Sequence, residues 1–415
     1  MGSSRVSFTN RWTVAAAAVI MQSGFGSVYA WSVFRQPLSA HYGTNITNVN
    51  LTFFIASLVF AVSTFAAGFL LRRVGPRSIG VTGGVLFGVG TFLSAFAGDS
   101  LSLLYLTYGI LAASGGGLGL IAPIVVLPRW FPDRPGLAYA LALVGFGIGT
   151  MVSVPIISGL LSVTDGPFRT FGVLGLSYVV LIGAAAWFVR NPREGEAVAP
   201  ADGWLPEDHE QLHKERSYDL RGAVRTWQWY AIWAMFFLNT TVGLALYSDA
   251  RAMAGSVSGA GAALASAFIV IVSVSDTAGR LVWPILSDRI GGRNVFVAMF
   301  LLQATAFLLM PLLGAESFVM FSILASAVTS CFGGGYATMS ALSTEYYGLR
   351  DIGSIYGSIV LASGVAGFGA PVLLARTADL TGSYDLALYA TGGLMLIGAV
   401  IPLALRPPDL SRRSI

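Results

Sequence analysis

The chain has 415 residues, 55% of them hydrophobic and only 11% charged, with a formal net charge of +4 and a mean hydropathy of +0.73. A soluble domain carries about 25% charged residues, so this composition excludes a disordered chain and an ordinary cytosolic enzyme. A single cysteine, Cys331, excludes a secreted disulfide scaffold.

What remains is a chain embedded in a membrane. Outer-membrane barrels show alternating strands of roughly 10 residues, whereas a spanning helix needs about 20 apolar residues in a row. The apolar runs here are long and unbroken, which predicts an all-α membrane protein. In chain order, twelve spans are expected near 12–34, 49–71, 78–98, 102–127, 137–163 and 170–189, then 227–248, 262–286, 294–314, 317–343, 353–375 and 386–405. Trp12–Phe34 is too long for a cleavable signal peptide and no small-residue cleavage site follows it. Twelve spans put both termini on one side. Of the 24 Lys and Arg residues, nineteen fall on that side and four on the other, with Arg280 inside a span. By the excess of positive charge on cytoplasmic loops, both termini are expected in the cytoplasm.

Residues 190–226 form the one long polar segment, with eight acidic and six basic residues. It reads as a cytoplasmic linker between a first half, 1–189, and a second half, 227–415. His209 and His213 in it are four apart, a spacing open to metal, but a solvated charged face is the plainer reading. The two halves echo each other. Arg73 and Arg289 stand 216 residues apart in matching loops, Gly115-Gly116-Gly117 and Gly333-Gly334-Gly335 are offset by 218, Tyr29 and Tyr247 by 218, and Pro155 and Pro371 by 216. Two repeated six-helix halves imply a carrier with its site at the midplane between them.

The loop Leu286-Ser287-Asp288-Arg289-Ile290-Gly291-Gly292-Arg293 resembles the loop signature of the major facilitator superfamily. The first-half copy, Arg72-Arg73-Val74-Gly75-Pro76-Arg77, departs from it, because Arg72 stands where the family usually has Asp. The resemblance spans the whole chain and assigns Arg73, Asp288, Arg289 and Arg293 to gating loops. Two further runs, Gly26-Ser27-Val28-Tyr29-Ala30-Trp31-Ser32 and Arg129-Trp130-Phe131-Pro132-Asp133-Arg134-Pro135-Gly136-Leu137, are similar to the oxalate:formate antiporter family, itself close to the monocarboxylate transporters.

Only two charged residues fall well inside a span, Asp276 and Arg280 in span 8. Four apart, they share one helix face and can pair. A charge at the bilayer centre costs roughly 2.5–3.5 kcal/mol on insertion scales, so it is kept where it meets a partner or a wet cavity. A guanidinium there can hold a substrate carboxylate by two parallel hydrogen bonds; the plainer alternative is an ion pair that only locks helices. The resemblance implies that Arg280 is the carboxylate-binding arginine and Asp276 the proton site. It also places Ser363 where the antiporter family has a lysine in span 11. One cation suits a monoanion and leaves a dianion uncompensated. Tyr29 and Tyr336 match aromatic positions around the substrate, Phe332 stands in place of a Trp, and Leu120 in place of a Tyr. Gln22, Asn239 and Gln303 are polar residues in mid-span, expected to bond helix to helix.

Gly145-Phe146-Gly147-Ile148-Gly149 has the look of a nucleotide loop, but it follows no strand and carries no phosphate-binding Lys. With no Walker motif, metal-spaced cluster or hydrolytic triad, no cofactor and no enzymatic activity are expected. The expected function is proton-coupled transport of a small monocarboxylate such as lactate or pyruvate across the cell (inner) membrane, with no nucleic-acid partner. Alternatives are a carboxylate exchanger and, less in keeping with Arg280, an exporter of apolar cations. A sensor would need a signalling domain, and none is evident.

Overall fold

The computed structural model describes residues 10–164, 166–193, 196, 218–259, 261–381 and 384–408, and among them there is no β-strand. Among the described residues ten helices are long and apolar enough to cross a membrane. Ile46–Phe96, at 51 residues, would be about 77 Å long if straight, against a hydrocarbon core of about 30 Å. It breaks at Gly75, which has φ 79° and ψ 164°, and so holds two spans. Ile352–Gly367 adds a shorter apolar helix. The twelve expected spans are thereby accounted for.

Span 1 runs Arg11–Gly26 and tightens into a 3-10 turn over Ser27–Val33. Spans 2 and 3 share Ile46–Leu93. Span 4 ends as Ala113–Trp130; spans 5 and 6 are Pro135–Val163 and Pro167–Ala186. The second half follows with Trp227–Ser258, Ala262–Ile290, Gly292–Leu309, Phe318–Tyr347, Ile352–Thr381 and Asp385–Gly398. Local chemistry sets these ends. Pro135 and Pro167 open their helices, where the missing N–H costs nothing. Asn10, Asn45 and Ser317 cap theirs by accepting a backbone N–H. Gly291 breaks the chain at φ 82°, as Gly75 does at 79°; the two stand 216 residues apart. The internal repeat therefore extends to backbone conformation.

Across the halves, span 5 packs on spans 8 and 10, and span 2 on span 11. The second contact is glycine-lined: Gly353, Gly357, Gly364 and Gly367 bring span 11 against Gly68, Phe65, Ala61 and Ser57, a close approach of the kind small residues allow inside a bilayer. The Gly145–Gly149 run is also packing: Gly145 and Gly149 lie on Val19 and Ser23 of span 1, and Gly147 lies on Thr277 of span 8.

Both ends of the polar segment are tied down. The Arg190 carbonyl accepts from Trp130 Nε1 at 2.7 Å, and the Arg190 guanidinium donates to Glu196 at 2.6 and 3.0 Å. On the far side the Tyr218 N–H donates to the Tyr347 carbonyl at 3.0 Å. Residues 197–217, with His209, His213, Lys214 and Arg216, lie outside the described residues, as do Arg5, Arg412 and Arg413.

Candidate functional site

Arg280 donates to Asp276 through Nε at 3.0 Å to Oδ2 and through Nη2 at 3.2 Å to Oδ1. Both residues are 2% exposed, so the pair faces protein on every side. Span 10 makes this possible with its glycines. A Cβ at Gly333 would collide with the Asp276 carboxylate, and one at Gly334 with Trp283 and the Gly279 carbonyl. Gly279 in turn rests on the Ser330 carbonyl.

Aromatic rings close over the guanidinium. Its carbon stands 5.4 Å from the centre of Tyr336 and 5.9 Å from that of Phe146, distances at which a ring face attracts a cation. Tyr29 of the first half stacks on Tyr247 of the second with centroids 6.3 Å apart and also meets Phe146 at 6.3 Å. Phe332 links Tyr247 at 5.7 Å to Tyr336 at 5.5 Å. Tyr29 and Ser363 neighbour the Tyr336 phenol, and the Ser363 hydroxyl donates to the Val360 carbonyl at 2.8 Å. Arg280, Asp276, Tyr29, Tyr336, Phe332 and Ser363 thus form one constellation at the contact between the halves.

Phe146 and Tyr247 complete it and were missed as site residues. For Tyr247 a signal existed, since it answers Tyr29 in the repeat. Phe146 sits within the Gly145–Gly149 run, whose pattern gave no sign of a ring beside a guanidinium. Leu120 is buried, and its carbonyl accepts from Gln22 Nε2 at 3.3 Å. Gln22 also donates to the Ala142 carbonyl at 2.9 Å, and Gln303 Nε2 to Asn239 Oδ1 at 3.0 Å, so these mid-span amides do bond helix to helix. Among the described residues no group of three or more His, Cys, Asp or Glu is placed to hold a metal ion.

The loop-motif residues lie at the end of the bundle where spans 2 and 8 finish. Asp288 accepts the Gly136 N–H at 2.9 and 3.1 Å, seating a carboxylate at the start of span 5, where helix N–H groups are otherwise unpaired. Arg293 donates to the Leu405 carbonyl at 3.3 Å. Arg73 and Arg289 are exposed. Arg72, the departure from the family pattern, pairs with Asp351 at the start of span 11. The first-half motif thus also contacts the other half, with its acid on the opposite partner. At the same end Tyr139 of span 5 and Thr344 of span 10 join through their hydroxyls.

A family model described as Major Facilitator Superfamily matches residues 12–274. The chain is 26% identical to the oxalate:formate antiporter of Oxalobacter formigenes over 86% of this chain and 82% of that protein. It is 27% identical to monocarboxylate transporter 13 of Rattus norvegicus over 95% of this chain and 88% of that one. A crystal structure of the major facilitator transporter FucP in the outward conformation superposes with a TM-score of 0.69 at 15% identity, covering 94% of this chain and 97% of the other; that likeness shows the fold. The chain is a multi-pass membrane protein and belongs to the Major Facilitator Superfamily.

Proposed function

We propose that this protein is a secondary carrier, not an enzyme, for small monocarboxylates of the lactate or pyruvate kind, and that it moves a proton with each anion. The buried Asp276–Arg280 fork carries this reading. A guanidinium has five N–H donors, and Asp276 takes the Nε side and one Nη2 hydrogen. The remaining edge is left for a second carboxylate, gripped in the same two-pronged way. The resting pair is neutral. An anion added alone leaves one uncompensated negative charge in a site closed to water, whereas an anion with a proton on Asp276 keeps the site neutral. Protonation also removes the carboxylate that competes for Arg280.

Substrate preference follows from the same charge balance. Ser363 offers a hydroxyl where a second cation would be needed for a dianion, and Tyr29, Tyr247, Phe332 and Tyr336 give an aromatic wall with three phenol groups for a keto or hydroxyl oxygen. The named substrates of the two relatives above are carboxylates, which agrees with this class. Transport is by rocking of 1–189 against 227–405, with 190–226 as tether. The loop residues Arg73, Asp288, Arg289 and Arg293 act at the arginine-rich end, which we assign to the cytoplasm of a cell-membrane protein.

The test is uptake of radiolabelled L-lactate into proteoliposomes, with the outside more acidic than the inside. Accumulation that a protonophore abolishes is expected. Uptake only into vesicles preloaded with another carboxylate would replace symport by exchange of the antiporter kind. Uptake of neither lactate nor pyruvate under both conditions would overturn the substrate class.

A further inference from the structure

A cavity of about 270 Å³ lies on the seam between the halves at the arginine-rich end. Arg72, Arg129, Arg350 and Asp351 line it, together with Asn191 and the glycine backbone around Gly68 and Gly353. Three guanidinium groups therefore share this space with one carboxylate, and Asp351 is already engaged by Arg72. The Asn191 Oδ1 is buried there with no hydrogen-bond partner; rotating that amide by half a turn presents its NH2 to the cavity instead. The wall comes from four separate stretches of chain: the end of span 2, the last turn of span 4, the segment after span 6, and the start of span 11.

We propose that this cavity is a binding site for a phosphate-type oxyanion, separate from the transport site. An excess of two positive charges matches a phosphate group, which carries about −1.5 to −2 near neutral pH, better than it matches a monocarboxylate. Forked guanidinium donors suit its tetrahedral oxygens. The site also has a mechanical consequence. Arg72 and Arg129 belong to the first half and Arg350 to the second, so an anion held by all three exists only while the halves meet at this end. It cancels the repulsion among those arginines across the seam. A ligand that binds one arrangement better than another shifts the population toward it, so occupancy holds this end closed and slows its opening. The same chemistry can come from a phospholipid headgroup at the helix ends or from free phosphate.

Two arms separate the sources. In the first, purified protein in an uncharged detergent is dialysed against radiolabelled inorganic phosphate. In the second, it is reconstituted in phosphatidylcholine with or without phosphatidylglycerol. Both are read by amide hydrogen exchange over 68–77 and 350–356. Slower exchange is expected in at least one arm. It should be lost or weakened about tenfold in ligand dependence, the scale of one charge-assisted contact, in Arg350→Gln and further in Arg129→Gln with Arg350→Gln. Arg350 is exposed, so its variant keeps the fold. Arg221→Gln removes a charge at the same end but outside the cavity and should change nothing. Slowing by phosphate assigns free phosphate; slowing only with phosphatidylglycerol assigns the headgroup. No slowing in either arm, or slowing that survives the double variant or is lost equally in Arg221→Gln, overturns the site.

Discussion

Spans 2 and 8 occupy equivalent places in the repeat and carry their charge in opposite places. At the 216-residue offset of the loop motif, Phe60 and Thr64 of span 2 stand where span 8 has Asp276 and Arg280, and Arg72 stands where span 8 continues to Asp288. Span 2 is neutral in the middle and ends on two arginines, Arg72 and Arg73; span 8 is ionic in the middle and ends on an acid beside an arginine, Asp288 and Arg289. The surroundings are nevertheless alike. Gly333 of span 10 makes room for the Asp276 carboxylate, and Gly117, in the matching glycine run of span 4, makes room for the Phe60 carbonyl. Thr64 spends its hydroxyl on packing, donating to the Phe60 and Gly117 carbonyls at 2.9 and 3.0 Å. The glycine socket is common to both halves, and the ionic chemistry has been placed in one of them. In this symmetric scaffold one half carries the Asp276–Arg280 pair while the other supplies Tyr29 and Phe146 beside it.

The largest effect should come from the ionic centre of span 8. Arg280→Lys keeps the charge and loses the planar fork, so substrate uptake should fall at least about tenfold, and up to about 100-fold, for loss of one or more charged hydrogen bonds of about 1.5–3 kcal/mol each. Initial rates in proteoliposomes measure it, and near-normal rates would remove Arg280 from the binding role. Asp276→Asn comes next. It should abolish gradient-driven accumulation while counterflow of labelled against unlabelled substrate persists; accumulation that survives moves the proton elsewhere. The same substitution leaves Arg280 buried and unpaired, a loss of about 3–5 kcal/mol in stability. Changing Phe60 or Thr64 in the neutral counterpart should leave coupling intact, which is what makes the contrast between the spans informative.

Much of this was legible in the sequence, for identifiable reasons. Span positions follow from hydropathy because the bilayer imposes both length and composition. Asp276 and Arg280 stood out because an ion inside a span is costly enough to be rare. The repeat set the two loop motifs against each other through Arg73 and Arg289, and Gly75 and Gly291 within them share a positive φ. Asp351 was not legible. It looks like an ordinary loop acid, and its burial depends on where span 11 begins and on a partner, Arg72, 279 residues away. Phe146 was missed for the same physical reason: a ring over a guanidinium is a contact between halves, and no local pattern encodes it. Arg72 stands where the family pattern has Asp, and its pairing with Asp351 is a contact between the halves with the charges exchanged.

A smaller effect is expected at span 11. Ser363→Lys adds the second cation that a dianion requires, so oxalate should inhibit lactate uptake about tenfold more strongly than in the unsubstituted protein, equivalent to about 1.4 kcal/mol. Unchanged oxalate inhibition would count against the placement of Ser363 beside the substrate.

The smallest effects lie in the two latches, and they test the exchange of charges most directly. Asp288→Asn keeps an oxygen to accept the Gly136 N–H and should be mild. The Arg72 side chain is 51% exposed, so its pair with Asp351 contributes at most about 1 kcal/mol in the arrangement where the halves meet. In a double-mutant cycle, Arg72→Gln and Asp351→Asn should each accelerate amide exchange along 350–356 by a few-fold, and the two together should do no more than either alone. If the pair is the inverted equivalent of the Asp288 contact, Arg72→Asp should be worse than Arg72→Gln, because it sets two carboxylates against each other, and adding Asp351→Arg should restore protection. Full additivity in the cycle, with no rescue by the swap, would mean that the first-half motif holds its seam by glycine packing alone and that the two halves are latched by different physics.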